Sequence, residues 1–263
     1  MKRDPSARAG AYVVALARGI AVLRCFDANR PELGTAEIAK MTGLPQPTVW
    51  RLANTLVALG CLFQTSGGRL RVGFGVLGLG TSALPTRTVP ELVLQDMQRV
   101  ADEAGAAVSL CVPDNLEMLI IQRAQSSGTL LFNYRTGSKL AIATSSSGWA
   151  YMAVAPEPQL RVLYEKLSRI HGRKWPDMVA AIEKSKQVYR AHGFILSNGT
   201  YHPSIKAVAV PIISERDGRI YTLSCGGLGP SLKLLKETIG PKLVGLAETI
   251  RSTVGDPSAL SRP

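Results

Sequence analysis

At 263 residues with 46% hydrophobic side chains, the chain can bury one large core or two smaller ones, and two domains is the favoured reading. Its formal charge of +12 and pI near 9.8 favour a polyanionic partner; the excess is denser at the front, where residues 1–90 hold 11 Lys/Arg against 4 Asp/Glu. Four isolated cysteines (Cys25, Cys61, Cys111, Cys225) with no CxxC or Cys/His cluster argue against zinc and a disulfide framework, and no apolar run reaches the roughly 20 residues a membrane span needs. With no signal-peptide pattern at the front, the expected location is the reducing cytoplasm.

Residues 1–10 read as a flexible arm carrying Lys2, Arg3 and Arg8. Tyr12 to Phe26 carries Val13, Leu16, Ala17, Ile20, Leu23 and Cys25 or Phe26 on a helical stripe, and DANRPELG then reads as a polar loop. Thr35 to Leu59 is the most informative stretch. It reads as two short helices around a tight turn at Gly43, with Thr35 as N-cap of the first and Leu44-Pro45 leading into the second. Val49 and Leu52 can pack back on Ile38 and Ala39, which leaves Gln46, Thr48, Trp50, Arg51 and Asn54 on the opposite face. Side chains of these types suit phosphates and base edges. With Thr35 and Pro47 at the helix starts they form the candidate DNA-reading set. The next segment, CLFQT-SGG-RLRVG, reads as a hairpin wing that adds Arg69 and Arg71.

Phe74 to Ala83 reads as a helix bounded by Pro85 and Pro90, the linker. Leu92 to Ala104 is a helix turning Leu92, Val93, Met97, Val100 and Ala101 inward. AAVSLCV and EMLIIQRA read as strands joined at Pro113-Asp114-Asn115, and TLLFNY as another. SSSGWAYMAVA, PEPQLRVLYEKLS and DMVAAIEKSKQVYRAHG are helical, the last closed by Gly193. GFIL, KAVAVPII and IYTLSC are strands, with a turn at Arg216-Asp217-Gly218. A final helix from Leu232 to Val254 is interrupted near Gly240-Pro241. Short turns between neighbouring strands predict an antiparallel α+β sensor domain.

Three features compete for a chemical role. GFGVLG at Gly73 to Gly78 matches GxGxxG, but Pro85 and Pro90 interrupt the helix that should follow and no parallel βαβ series comes after it. His171, His192 and His202 have no metal spacing and no GxSxG partner. TSSSG at Thr144 to Gly148 is either an ordinary helix cap or an anion-binding helix start, since hydroxyls and free N–H groups there suit a carboxylate. No enzyme activity, cofactor or metal is expected.

RGIAVLRCF, TAEIAKMTGLPQPTVWRLANTLVALGCL and RLRVGFGVLGLG in the first domain, with GSKLAIATSSSGWAYMA, AHGF and VAVPIISERDGRIYTLSCGG in the second, resemble the IclR family of bacterial transcriptional regulators from about Ala17 to Ile250. The resemblance implies an N-terminal winged helix-turn-helix domain (11–73), a dimerising linker helix (74–90) and a C-terminal GAF-like effector-binding domain (91–255), ahead of a flexible tail (256–263). It implies a homodimer or homotetramer, double-stranded operator DNA as partner, and a small effector, often a carboxylate. Its effector positions fall on Ser146 and Ser147 at the helix start beside Thr144 and Ser145, and on Ser224 and Gly226 of the final strand. Ser197 stands where the family has an acidic residue, and Ala207 where it has a cysteine.

The expected function is therefore a DNA-binding regulator controlled by an organic acid. The alternatives are a constitutive DNA-binding protein whose C-terminal domain only oligomerises, and an unrelated enzyme with a basic surface.

Overall fold

The computed structural model describes residues 12–27, 30–81, 91–127, 134–214 and 218–255. The chain divides into two compact units, Met1–Thr86 and Arg87–Pro263. The arm at 1–10, the tail at 256–263, residues 82–90 with Pro85 and Pro90, most of TLLFNY, and the Arg216-Asp217 turn lie outside the described residues.

The first unit runs α1 (Val14–Leu23), β1 (Glu32–Leu33), α2 (Thr35–Thr42), α3 (Gln46–Ala58), β2 (Leu62–Gln64), β3 (Leu70–Val72) and α4 (Gly75–Thr81). Gly43, at φ +70°, supplies the left-handed turn between α2 and α3. Val22, Ile38, Val49, Ala53, Leu56, Leu62 and Leu70 form one core. β2 and β3 make the expected hairpin, and β1, inside the segment read as a loop, adds a third antiparallel strand beside β3.

Two expectations need correcting. Gly34, not Thr35, is the N-cap of α2: Thr35 is the first helical residue, and the Gly34 amide donates to Glu37 Oε2 at 2.6 Å. The α1 stripe is covered only at its C-terminal end. Val13, Leu16 and Ile20 are exposed, while Leu23, Cys25 and Phe26 pack into the core beside Val22, which the stripe did not include. Periodicity reveals that a helix has an apolar face, not what covers it.

The GFG of the weak dinucleotide motif has a packing role. A Cβ on Gly73 would lie 2.3 Å from the Gly60 carbonyl oxygen, and one on Gly75 2.7 Å from it. Their amides instead donate to Cys61 O at 2.8 Å and Gly60 O at 3.1 Å, docking the start of α4 against the end of α3.

In the second unit, α5 (Glu91–Ala104) precedes β4 (Ala107–Asp114), β5 (Glu117–Gln125) and β6 (Lys139–Ala141). Helices α6 (Ser146–Val154), α7 (Glu157–His171) and α8 (Trp175–His192) follow, then β7 (Ile195–Asn198), β8 (Lys206–Ile213) and β9 (Ile220–Gly227). The chain then passes through α9 (Leu232–Leu234) and a π-turn (Leu235–Ile239) into α10 (Gly240–Gly255). Pro241 has no N–H to donate, and the interruption expected near Gly240-Pro241 takes the form of this wider π-turn, through which the helix continues.

All six strands pair antiparallel in the order β6-β5-β4-β9-β8-β7. The β4–β5 turn is shorter than expected. Pro113 and Asp114 belong to β4, and Asn115 at φ +58° makes the reversal. One sheet face packs Val108, Leu110, Val208, Val210 and Leu223 against α5 and α10, through side chains such as Val93, Met97, Leu243 and Ala247. Fully burying each larger one contributes about 1.5–3 kcal/mol. The other face packs Cys111, Met118, Ile120, Ile195 and Ala209 against α6, α7 and α8.

Candidate functional site

In the first unit, the exposed face of α3 carries Gln46, Pro47, Trp50, Arg51 and Asn54, spaced three or four apart, with Thr48 half-buried at its edge. Trp50 is 58% exposed, which argues against a core role within this unit. Gln46 Nε2 donates to Thr35 Oγ1 at 3.4 Å, tying the starts of the two helices.

The two wing arginines differ. Arg71 is exposed, its guanidinium 5.9 Å from the centroid of its cross-strand partner Phe63. Arg69 is engaged within the unit: Nη2 donates to Glu37 Oε2 at 2.7 Å and to the Glu32 carbonyl at 3.1 Å, with Nε 3.7 Å from Glu32 Oε1. The Gly34 amide, and then Arg69, hold the Glu37 carboxyl below its ordinary pKa. Arg69 thus clamps the wing to the start of α2.

In the second unit the register across the sheet builds a cavity. Arg123 on β5 lies opposite Ser109 on β4, which lies opposite Ser224 on β9. The next row holds Ala107, Gly226, Ala207 and Ser197. Together they floor a cavity of about 80 Å³, walled by Ser145 and Ser146 at the start of α6 and by Tyr134, Leu140, Tyr201 and Ile205. Gly226 keeps the floor open, since a Cβ there would meet the Ala207 Cβ at 2.6 Å.

Of the eight residues expected to contact an effector, Ser145, Ser146, Ser197, Ala207, Ser224 and Gly226 line this cavity. The other two stand behind it. Ser147 is fully buried, and its Oγ donates to Ser224 Oγ at 2.9 Å. The Thr144 carbonyl accepts from Thr200 Oγ1 at 2.9 Å. That bond uses the Thr200 proton, so in the Ser197–Thr200 hydroxyl pair Ser197 is the donor. Ser145 caps α6, accepting from the Gly148 amide at 3.1 Å.

Sequence reasoning missed Ser109, Arg123, Tyr134 and Tyr201. The Tyr134 and Tyr201 hydroxyls bond each other, and their rings meet edge-on with centroids 6.2 Å apart. Arg123 reaches the cavity through a β-bulge. Cys111 pairs with Ile120 but Leu110 with Gln122, so Ile121 is an extra residue. The extra residue inverts the side-chain phase, and Arg123 emerges on the face that Met118 and Ile120 occupy lower down the strand. Its Nη1 donates to Ser109 Oγ at 2.8 Å, and its buried Nε has no partner. Burial pulls the guanidinium pKa down, partly offset by Cys111 and Tyr134. Among the described residues, no group of three or more His, Cys, Asp or Glu is assembled to hold a metal, and no helix is long and apolar enough to cross a membrane.

Residues 15–66 match the IclR helix-turn-helix domain, and residues 81–258 match the bacterial transcriptional regulator IclR C-terminal domain. The chain belongs to the IclR family of bacterial transcriptional regulators. An IclR family regulator from Brucella abortus shares 34% identity and superposes with a TM-score of 0.81, over 96% of this chain and 97% of that one. An IclR homologue from Microbacterium hydrocarbonoxydans, solved with 4-hydroxybenzoate, shares the fold at 23% identity and a TM-score of 0.71, over 91% and 98% of the two chains. The regulator TsaQ1/TsaQ2 of Comamonas testosteroni is 27% identical over 91% of this chain and 88% of its own length. As an IclR family member the chain is a transcriptional regulator with an N-terminal DNA-binding domain and a C-terminal effector domain. The hydroxyl-rich cavity lies in the second of these.

Proposed function

We propose that this regulator reads operator DNA with the exposed face of α3 and that a small organic acid bound in the C-terminal cavity controls that reading. The observation that carries the proposal is the cavity itself: serine hydroxyls and one guanidinium converge on it, and none of its described lining residues is acidic. Such a lining suits a carboxylate of the size class that the Microbacterium homologue holds. On the DNA side, Gln46, Arg51 and Asn54 have the chemistry for base edges, while Arg71, Thr35, Thr48 and Pro47 lie at the margins of the reading face.

The regulator acts as a homodimer or a pair of dimers. Tyr12, Val13, Leu16 and Ile20 on and before α1, with Phe74, Leu77 and Leu79 on and before α4, are all at least 44% exposed, apolar side chains that a second copy of the chain would cover. The α4 region up to residue 90 serves as the linker. An effector that favours one dimer arrangement changes the spacing of the two α3 helices against half-sites about 34 Å apart, and with it the affinity. Four buried free cysteines suit the reducing cytoplasm where the DNA lies.

The test is fluorescence anisotropy of the full chain on DNA upstream of its own and neighbouring genes, with and without small carboxylates. Specific, salt-dependent binding that an acid shifts is the expected result. Specific binding that no acid shifts would leave a constitutive DNA-binding protein, and no specific binding would remove the reading altogether.

A further inference from the structure

Among the described residues the cavity contains one charged group, and its surroundings specify a ligand more narrowly than "organic acid". We infer that Arg123 is the counter-ion of the effector: its guanidinium takes the carboxylate of a small monocarboxylic acid whose apolar body lies against Tyr134, Leu140, Tyr201 and Ile205. The inference rests on reading the cavity as the effector site.

Four observations carry it. The β-bulge at Ile121 turns Arg123 out of the phase it would otherwise hold and into the cavity, a known use of bulges beside binding sites. A single hydroxyl, Ser109 Oγ, is its hydrogen-bond partner among the described residues, and the buried Nε is left without one. A buried cationic donor without an acceptor is costly, and a carboxylate oxygen supplies the acceptor and the opposite charge together. Finally, no Asp or Glu lines the cavity among the described residues: Ser197, Ala207 and the serines at the start of α6 leave Arg123 as the only charge there.

The count of charges sets the ligand's charge. One cation matches one carboxylate; a dicarboxylate would bury a second anion against hydroxyls alone. The Ser109 hydroxyl accepts from Arg123 Nη1 and keeps its own proton to donate to the same carboxylate. Opposite this polar corner, two tyrosine rings and two aliphatic side chains form an apolar wall. A volume of about 80 Å³ is several times what one water requires, roughly 10–15 Å³, and suits a branched or aromatic monoacid rather than a sugar phosphate or a nucleotide.

The experiment is a thermal-shift titration of the full chain with isobutyrate, benzoate and 4-hydroxybenzoate, with the three matching amides, and with terephthalate. It is run on the wild type, Arg123→Gln and Arg123→Lys, each checked for native far-UV circular dichroism. At least one monoacid should stabilise the wild type while its amide and terephthalate do not. Arg123→Gln should weaken that acid about 100-fold, and Arg123→Lys, which keeps the charge without the planar fork, about 10-fold. An amide that stabilises as well as its acid, or an Arg123→Gln variant that binds the acid like the wild type, would overturn the counter-ion role and leave a cavity for neutral ligands. If none of the three acids stabilises the wild type, the counter-ion role and the organic-acid reading fall together.

Discussion

The helix-turn-helix shows its polar side chains to water, whereas the C-terminal cavity hides them from it. Gln46, Arg51 and Asn54 stand on the exposed face of α3 with the core of that unit behind them. Ser109, Ser147 and Ser224 are at most 7% exposed and bonded to one another in a chain: Ser147 to Ser224, and Ser224 to the Ser109 carbonyl at 3.4 Å. Residues on the first surface can change while the fold stays the same. Residues in the second are tied to the fold itself, because an unpaired buried hydroxyl costs stability.

That contrast can be broken or sharpened in order of expected effect. Ile38→Ala removes a fully buried side chain from the helix-turn-helix core and should cost about 2–5 kcal/mol. Calorimetry should then show the N-terminal unit melting early, with stabilisation by a C-terminal ligand intact; joint loss would mean the two units do not act as separate cores. Arg51→Ala should lose about 1–3 kcal/mol of specific DNA affinity if the side chain pairs with a base, with melting unchanged to within about 0.5 kcal/mol. Ser147→Ala should behave the opposite way. It leaves the Ser224 hydroxyl without its donor and should lower stability by about 1–3 kcal/mol, with DNA affinity unchanged in the absence of ligand.

The smallest effect concerns the wing. If Arg69 clamps the wing to Glu37, then Arg69→Ala and Glu37→Gln should each weaken DNA binding slightly, and the double variant should be no worse than either single one. Loss of one unit of salt slope in Arg69→Ala alone would instead make it a phosphate contact. The Glu37 carboxyl has its pKa lowered in the fold, so its contribution is present above its unfolded pKa and is lost as pH falls through the lower folded value. The melting difference between wild type and Glu37→Gln should therefore vanish in acid.

The same contrast explains what the sequence revealed. The face proposed to read DNA depends on neighbours three or four residues apart and a glycine between them, so Gly43, Ile38, Val49 and Arg51 could be placed from sequence alone. The α1 stripe was visible but its surroundings were not, because Val13, Leu16 and Ile20 face outward from their own unit. The serines of the cavity could be located through the helix start at Thr144 and through family resemblance. Arg123 could not. Alternation along EMLIIQRA assigns it to the face opposite Ile120, and only the extra residue at Ile121 reverses that. Its partner Ser109 stands on the neighbouring strand, brought opposite it by the same shift of register. Pairing of β1 with β3 was invisible for a related reason: two residues, Glu32 and Leu33, carry no periodicity.

The most direct test of control from cavity to DNA is a single titration. Operator affinity of the full chain is measured by anisotropy at fixed salt, with and without a saturating amount of the monocarboxylate that gives the largest thermal shift. A change of about 5–150-fold in either direction is the predicted result. An affinity that stays the same while the cavity is demonstrably full would contradict it.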